Sequence, residues 1–189
     1  MAVSKTADLR SSRSVPAKLV GGESRHPRTN MILEIKKYPD PVLKKRTEKV
    51  KEITSEIKEL IFNMKETLTA EQGAGLAAPQ VNVSKKVIII NTQHGQTAFI
   101  NPQITSKSLK KTKDKEGCLS FPGLWLDIKR SKEIKVKALN ENGKEISLKA
   151  KDFSARVFQH EIDHLNGILF IERLGFFQKI KVKQDLNKS

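Results

Sequence analysis

The 189 residues are 37% hydrophobic and 30% charged, with 36 basic against 21 acidic side chains and a formal net charge of +15. That is enough apolar material for one self-sufficient globular domain, and no apolar run approaches the about 18–20 residues that span a bilayer, Val87-Ile88-Ile89-Ile90 being the best candidate. A single cysteine excludes an internal disulfide, and with no secretory apolar stretch near the start we expect a reducing compartment.

Residues 1–30 differ from the rest: six basic and two acidic residues, five serines and little periodic apolar pattern. An organelle transit peptide, a mis-assigned start codon and expression-derived sequence are the competing explanations, and we expect this leader to be disordered. The patterned body begins at Met31. Tyr38-Pro39-Asp40-Pro41 marks a turn, with a short helical stretch after it. Residues 54–70 then form an amphipathic helix, with Ile57, Leu60, Ile61, Met64 and Leu68 on one face.

Gly73-Ala74-Gly75-Leu76-Ala77-Ala78-Pro79-Gln80 interrupts that pattern with small residues that permit close backbone approach. It lacks the G-K-[ST] ending of a phosphate loop. Val87–Asn91 reads as a buried strand and Thr97–Ile104 as another. Lys107–Lys115 reads as a basic loop. Glu133–Leu139 and Glu145–Ala150 flank Asn140-Glu141-Asn142-Gly143-Lys144, a hairpin signature. The order predicts an α+β domain over residues 31–174, with antiparallel β-sheets packed around a C-terminal metal-binding helix, and a basic tail over 175–189.

The excess of lysine and arginine is spread along the chain without a helix-turn-helix, base-stacking or zinc-finger pattern. It reads as a solvated basic surface with, at most, weak electrostatic contact with something like a ribosome, and not as specific DNA binding.

The last helix begins after Asp152 as an expected N-cap and ends at Gly167. It contains His160-Glu161-Ile162-Asp163-His164, an H-E-x-x-H pattern. Histidines four residues apart share one helix face with Cβ atoms about 5–6 Å apart, so both imidazoles can bind one metal ion with Glu161 beside them as a general base. Catalytic sites of this kind usually have three protein ligands. The extended peptidase pattern would place a third histidine at position 170, which holds Phe170; His26 lies in the leader and His94 in an expected turn. Cys118, in Glu116-Gly117-Cys118-Leu119-Ser120, is the better candidate, and the neighbouring Leu119 N–H could donate to an oxyanion.

Three blocks in order, Gly73–Gln80, Glu116–Ser120 and Gln159-His160-Glu161-Ile162-Asp163-His164-Leu165-Asn166-Gly167, resemble the signature motifs of peptide deformylases. Tyr38-Pro39-Asp40-Pro41-Val42-Leu43 is similar to the opening of the same family. The resemblance implies hydrolysis of the formyl group from N-formyl-methionyl nascent polypeptides, with Cys118, His160 and His164 as metal ligands and Glu161 as the base. It implies Gln80 and the Leu119 N–H as oxyanion donors, and backbone at Gly75 pairing with the peptide. An apolar methionine pocket is expected from Ala74, Phe153 and Val157, with Arg130 bracing the cysteine loop through Glu116. It further implies Fe2+ as the working ion, with Zn2+, Ni2+ or Co2+ as alternatives that the ligand set accepts equally. A start at Met31 would mean the bacterial cytoplasm; a cleaved leader would mean an organelle. The competing readings are a zinc endopeptidase and a catalytically idle relative that binds nascent chains or ribosomes.

Overall fold

The computed structural model describes residues 31–186; the leader over 1–30 and residues 187–189 lie outside it. The described chain is α+β. Helix α1 spans Ser55–Ala70, followed by strands β1 (Gly75–Ala77), β2 (Val87–Thr92), β3 (Gly95–Lys107), β4 (Lys111–Cys118), β5 (Phe121–Ser131), β6 (Glu133–Leu139) and β7 (Glu145–Lys151). Helix α2 is Asp152–Leu165 and α3 is Phe176–Leu186. The strands form a five-stranded antiparallel sheet in the order β1-β2-β3-β6-β7 and a two-stranded antiparallel sheet of β4 and β5.

The uninterrupted apolar run of β2 follows from its position between two helices. Side chains alternate across a strand, and here Ile88 and Ile90 join one core with Val157, Phe158 and Ile162 of α2. Val87 and Ile89 point the other way, into a second core with Ile61, Met64 and Leu68 of α1. A strand covered on both faces needs apolar residues at every position. At the sheet's other end β6 is covered on one face only: Ile134, Val136 and Ala138 face the core while Lys135 and Lys137 are exposed.

Several expectations are corrected in detail. Of Lys107–Lys115, read as a basic loop, only 108–110 connects strands: Lys107 ends β3, and from Lys111 the chain is β4, paired with β5 from Lys111↔Ser131 to Cys118↔Phe121. The outer half of β4 is exposed on both faces, so it carries no apolar alternation. Part of the small-residue segment at 73–80 is β1, an edge strand three residues long. The basic tail includes α3, whose Val182 and Leu186 pack against the cluster of Phe121, Leu169 and Phe170. Phe170, at the place where an extended peptidase pattern would have a histidine, is buried there.

Asp152 is not the N-cap of α2. Lys151 holds that position without a side-chain cap, and Asp152 opens the helix with φ 49°. The C-terminal stop does lie at Gly167, with φ +70°. Ile168 N–H reaches Asp163 O at 2.9 Å and Gly167 N–H reaches His164 O at 3.0 Å, the paired bonds of a Schellman cap. An alanine there would place its Cβ 2.2 Å from the Lys44 carbonyl.

The N-terminal stretch ties these parts together. Leu33 N–H bonds the Thr67 hydroxyl of α1 at 2.8 Å. Lys36 N–H then reaches Gln80 O at 2.7 Å and Tyr38 N–H reaches Ser120 O at 2.9 Å. One strap therefore holds the loops after β1 and after β4 side by side.

Candidate metal centre

Helix α2 packs against β1, β2, β5 and β7, and nearly all of its length is buried. His160 and His164 fall one turn apart on its face, with ring centroids 5.0 Å apart. Cys118 arrives from the end of β4. The donor atoms of Cys118, His160 and His164 all lie within 4.8 Å of one another, with Cys118 Sγ 3.3 Å from His164 Nε2.

A thiol and two imidazoles are a donor set that suits a divalent transition metal. A second observation favours a cation here. Glu161 Oε2 is buried with no hydrogen-bond partner among the described residues, and a buried carboxylate oxygen left alone is costly. A cation and its water beside the three donors would answer that deficit. The residues present fit such a group.

Glu116 fixes the orientation of His160. Its Oε2 is 3.1 Å from His160 Nδ1, leaving Nε2 for the centre. Arg130 grips the same carboxylate with Nε–Oε1 at 2.9 Å and Nη2–Oε2 at 3.0 Å. Arg130 also pairs with Asp163, which Arg173 holds from the following 3₁₀ turn. Burial opposes ionisation of Glu116, but the bonds from His160 and Arg130 outweigh it and lower the carboxyl to about 2.

The two histidines are driven apart. Burial works against charge on His160, yet its contacts with Cys118 and Glu116 raise it well above the usual range. Burial, then the charges of His160 and Arg130, keep His164 well below it. Glu161 is pushed up to about 7 by burial, against the pull of His160.

Gln80 follows β1 in a 3₁₀ turn, Ala78–Val81. Its Oε1 accepts the Ala77 N–H at 2.9 Å, which directs its Nε2 towards Ser120 Oγ at 3.2 Å and Cys118 Sγ at 3.7 Å. The neighbouring Leu119 has its carbonyl held by Lys37 Nζ at 2.7 Å.

Above these groups opens a cleft of about 510 Å³. Gly75, Gln80, Glu116, Cys118, Leu119, His160 and Glu161 all border it, as do Ala74, Phe153 and Val157 from the candidate pocket. Of these three, Val157 is buried and Phe153 is exposed. Arg130 and His164 sit behind the cleft wall, touching it through Glu116 and Cys118.

Sequence reasoning missed four contributors. Arg156 is buried and donates to Glu116 Oε1 at 2.6 Å, Ile128 O at 2.8 Å and Thr112 O at 3.1 Å. Its place one helical turn before His160 was the available signal. Asp163 and Arg173 complete the network, and Trp125 stands at the cleft mouth. Asp163 lies within the His160–His164 motif, whereas Arg173 and Trp125 have no signal in local spacing.

A family model described as polypeptide deformylase matches residues 32–179. The peptide deformylase of Halothermothrix orenii is 48% identical over 145 residues, covering 76% of this chain and 94% of that protein. That of Thermodesulfovibrio yellowstonii is 46% identical over 164 residues, covering 81% and 99%. The crystal structure of peptide deformylase from Thermotoga maritima is 41% identical with a TM-score of 0.75, covering 77% of this chain and 99% of that one. The Ehrlichia chaffeensis enzyme in complex with actinonin gives 39%, a TM-score of 0.78, and coverage of 83% and 96%.

Proposed function

The chain belongs to the polypeptide deformylase family, and from that membership we propose which of its residues carry the reaction and how. The enzyme removes the formyl group from the N-terminus of newly made polypeptides. Water adds to the formyl carbon, the C–N bond breaks, formate leaves, and the proton from water ends on the freed amine. The relatives are named peptide deformylases, which favours neither an endopeptidase nor an idle binder.

Cys118, His160 and His164 hold one divalent cation, with Fe2+ as the working ion and Zn2+, Ni2+ or Co2+ as substitutes. When bound, the cation supplies a Lewis acid that polarises the formyl oxygen and acidifies water. Glu161 takes the proton from the attacking water and delivers it to the leaving nitrogen. Burial raises the Glu161 carboxyl above its usual range, and a carboxylate beside a bound water would be placed for that exchange. Gln80 Nε2 and the Leu119 N–H donate to the oxygen as negative charge builds on it. Edge strand β1 offers backbone at Gly75 to an extended peptide, while Ala74, Phe153 and Val157 receive the methionine side chain. Glu116, braced by Arg130, keeps His160 turned towards the centre.

The catalytic domain covers residues 31–174, preceded by a leader and followed by a basic segment over 175–189. The lysine-rich surface makes weak contact with a ribosome, without specific DNA binding. The working compartment is the bacterial cytoplasm, or an organelle if the leader is a transit peptide. Among the described residues no helix is long and apolar enough to cross a membrane.

The observation that carries the site assignment is the convergence of three donor atoms beside the unpaired Glu161 oxygen. Formate release from a formyl-methionyl peptide, measured anaerobically with added ferrous ion, tests the reaction. Cys118→Ala should abolish metal binding; retention of a stoichiometric metal would overturn the ligand set. A metal-filled enzyme without turnover would favour the idle binder.

A further inference from the structure

Cys118 pairs with Phe121, yet the next pair along the ladder is Glu116 with Leu126. Across that step β4 advances two residues while β5 advances five. The surplus is a wide bulge over Pro122–Trp125, with Gly123 at φ +74° providing its turn. Bulges beside active sites re-aim side chains, and this one returns Trp125 over the cysteine loop. A Cβ on Gly117 would lie 3.0–3.1 Å from three atoms of the Trp125 ring. The indole therefore rests flat on backbone that glycine leaves bare.

Trp125 borders the reaction cleft and is nevertheless 66% exposed. Phe153, also bordering the cleft, is exposed to the same extent. A large aromatic surface held in place but left open at a cleft mouth marks a binding surface. It is continuous with the groups that act on the formyl end. An extended chain fixed at that end must leave the cleft past this rim, and its side chains alternate in direction as it does so.

We propose that the Pro122–Trp125 bulge is a specificity element: Trp125 packs against apolar side chains immediately downstream of the N-terminal methionine, so this enzyme favours substrates with bulky apolar residues there. The inference rests on the deformylase reading, with β1 and α2 as one wall of the cleft and Trp125 as the other. The reach proposed is to residues beyond methionine, the indole resting on Gly117 with most of its surface open to solvent.

The test compares the metal-loaded wild type with Trp125→Ala and Trp125→Phe on paired formyl-methionyl tripeptides, one with alanine and one with leucine or phenylalanine after the methionine. The wild type should prefer the bulky member, and Trp125→Ala should reduce that preference about fivefold to tenfold through KM, the size expected for one lost aromatic contact. Trp125→Phe should restore most of it. Trp125 is the only tryptophan in the chain, so intrinsic emission reports this site alone and should shift and saturate as the deformylated bulky peptide is titrated in. An unchanged preference in Trp125→Ala with full metal content, or emission indifferent to saturating peptide, overturns the proposal while leaving the deformylase reading intact. Absence of turnover on every formyl-methionyl peptide by the metal-loaded wild type overturns both.

Discussion

Gly75 and Glu161 meet on one wall of the cleft at a separation that admits no side chain on the glycine. A Cβ built on Gly75 would lie 2.6 Å from Glu161 Oε1 and 2.9 Å from both Cδ and Cγ. Rotating the carboxylate cannot relieve contacts with Cγ, so the whole Glu161 side chain would have to move. Gly75 lies in a strand with no positive φ, so alanine is acceptable to its backbone. Gly75→Ala should therefore fold and bind metal normally but lose about 10²-fold in kcat through misplacement of the base. Metal content, melting temperature and steady-state kinetics together check this; wild-type kcat would show that Glu161 does not act from its present position.

The buried Glu161 carboxyl also makes stability depend on pH. Burial raises it from 4.5 to about 7, His160 and Arg130 opposing and Glu116 reinforcing the rise. A carboxyl that holds its proton more tightly when folded contributes stability below its unfolded pKa, and that contribution is lost as pH rises through the folded value. In metal-free protein, Glu161→Gln should raise the urea midpoint relative to wild type at about pH 8, the difference shrinking towards about pH 5. Bound cation should narrow the gap, because it compensates the ionised carboxylate. Midpoints that run parallel across this range would show that Glu161 is not held in the protonated form.

Legibility in the sequence followed burial. α1, β2 and the β6–β7 hairpin were readable because their apolar residues repeat with the period of the element, on one covered face or on two. β4 was not, because much of a two-stranded ribbon faces water on both sides and lysines serve as well as anything else. β1 is too short to show a period, and α3 buries no residue fully. In the site, Cys118, His160 and His164 were readable from ligand chemistry. The hold on them was not: Arg156 meets Glu116 across 40 residues of sequence, and no local pattern encodes a pairing made by the fold. Asp152 fails as a cap for a related reason. Its backbone is bent to receive the chain from β7, with its N–H bound to Lys132 O at 2.8 Å, and a good capping residue type does not determine that entry.

Arg156 supplies a sharper test of this hidden support. Its guanidinium joins β4 at Thr112, β5 at Ile128 and the Glu116 carboxylate, all from within α2. Arg156→Leu would leave buried acceptors without donors, and removing one partner of a buried ion pair costs about 3–5 kcal/mol. We expect a lower melting temperature and about 10–100-fold weaker metal binding, since Glu116 orients His160. Activity should recover when metal is added in excess. A stability loss without any change in metal affinity would separate Arg156 from the centre and leave it a clamp between elements only.

At Gln80 the bond that holds Ala77 and the proposed oxyanion role can be separated by choice of substitution. Its Oε1 accepts the buried Ala77 N–H, and only an oxygen can do so; its Nε2 is then left facing Cys118 and Ser120. Gln80→Leu removes both functions, so it should lose about 10²–10³-fold in kcat, the usual effect of one missing oxyanion donor, together with about 1–3 kcal/mol for the orphaned amide. Gln80→Glu keeps an oxygen for Ala77 and replaces the donating NH₂ with an acceptor. It should therefore retain more stability than Gln80→Leu while losing a comparable share of kcat, with metal still bound because Gln80 is not a ligand. Anaerobic kinetics on one formyl-methionyl peptide and urea melts of both variants decide the matter. Wild-type turnover in Gln80→Glu would remove Gln80 from the oxyanion site and confine it to holding the turn after β1.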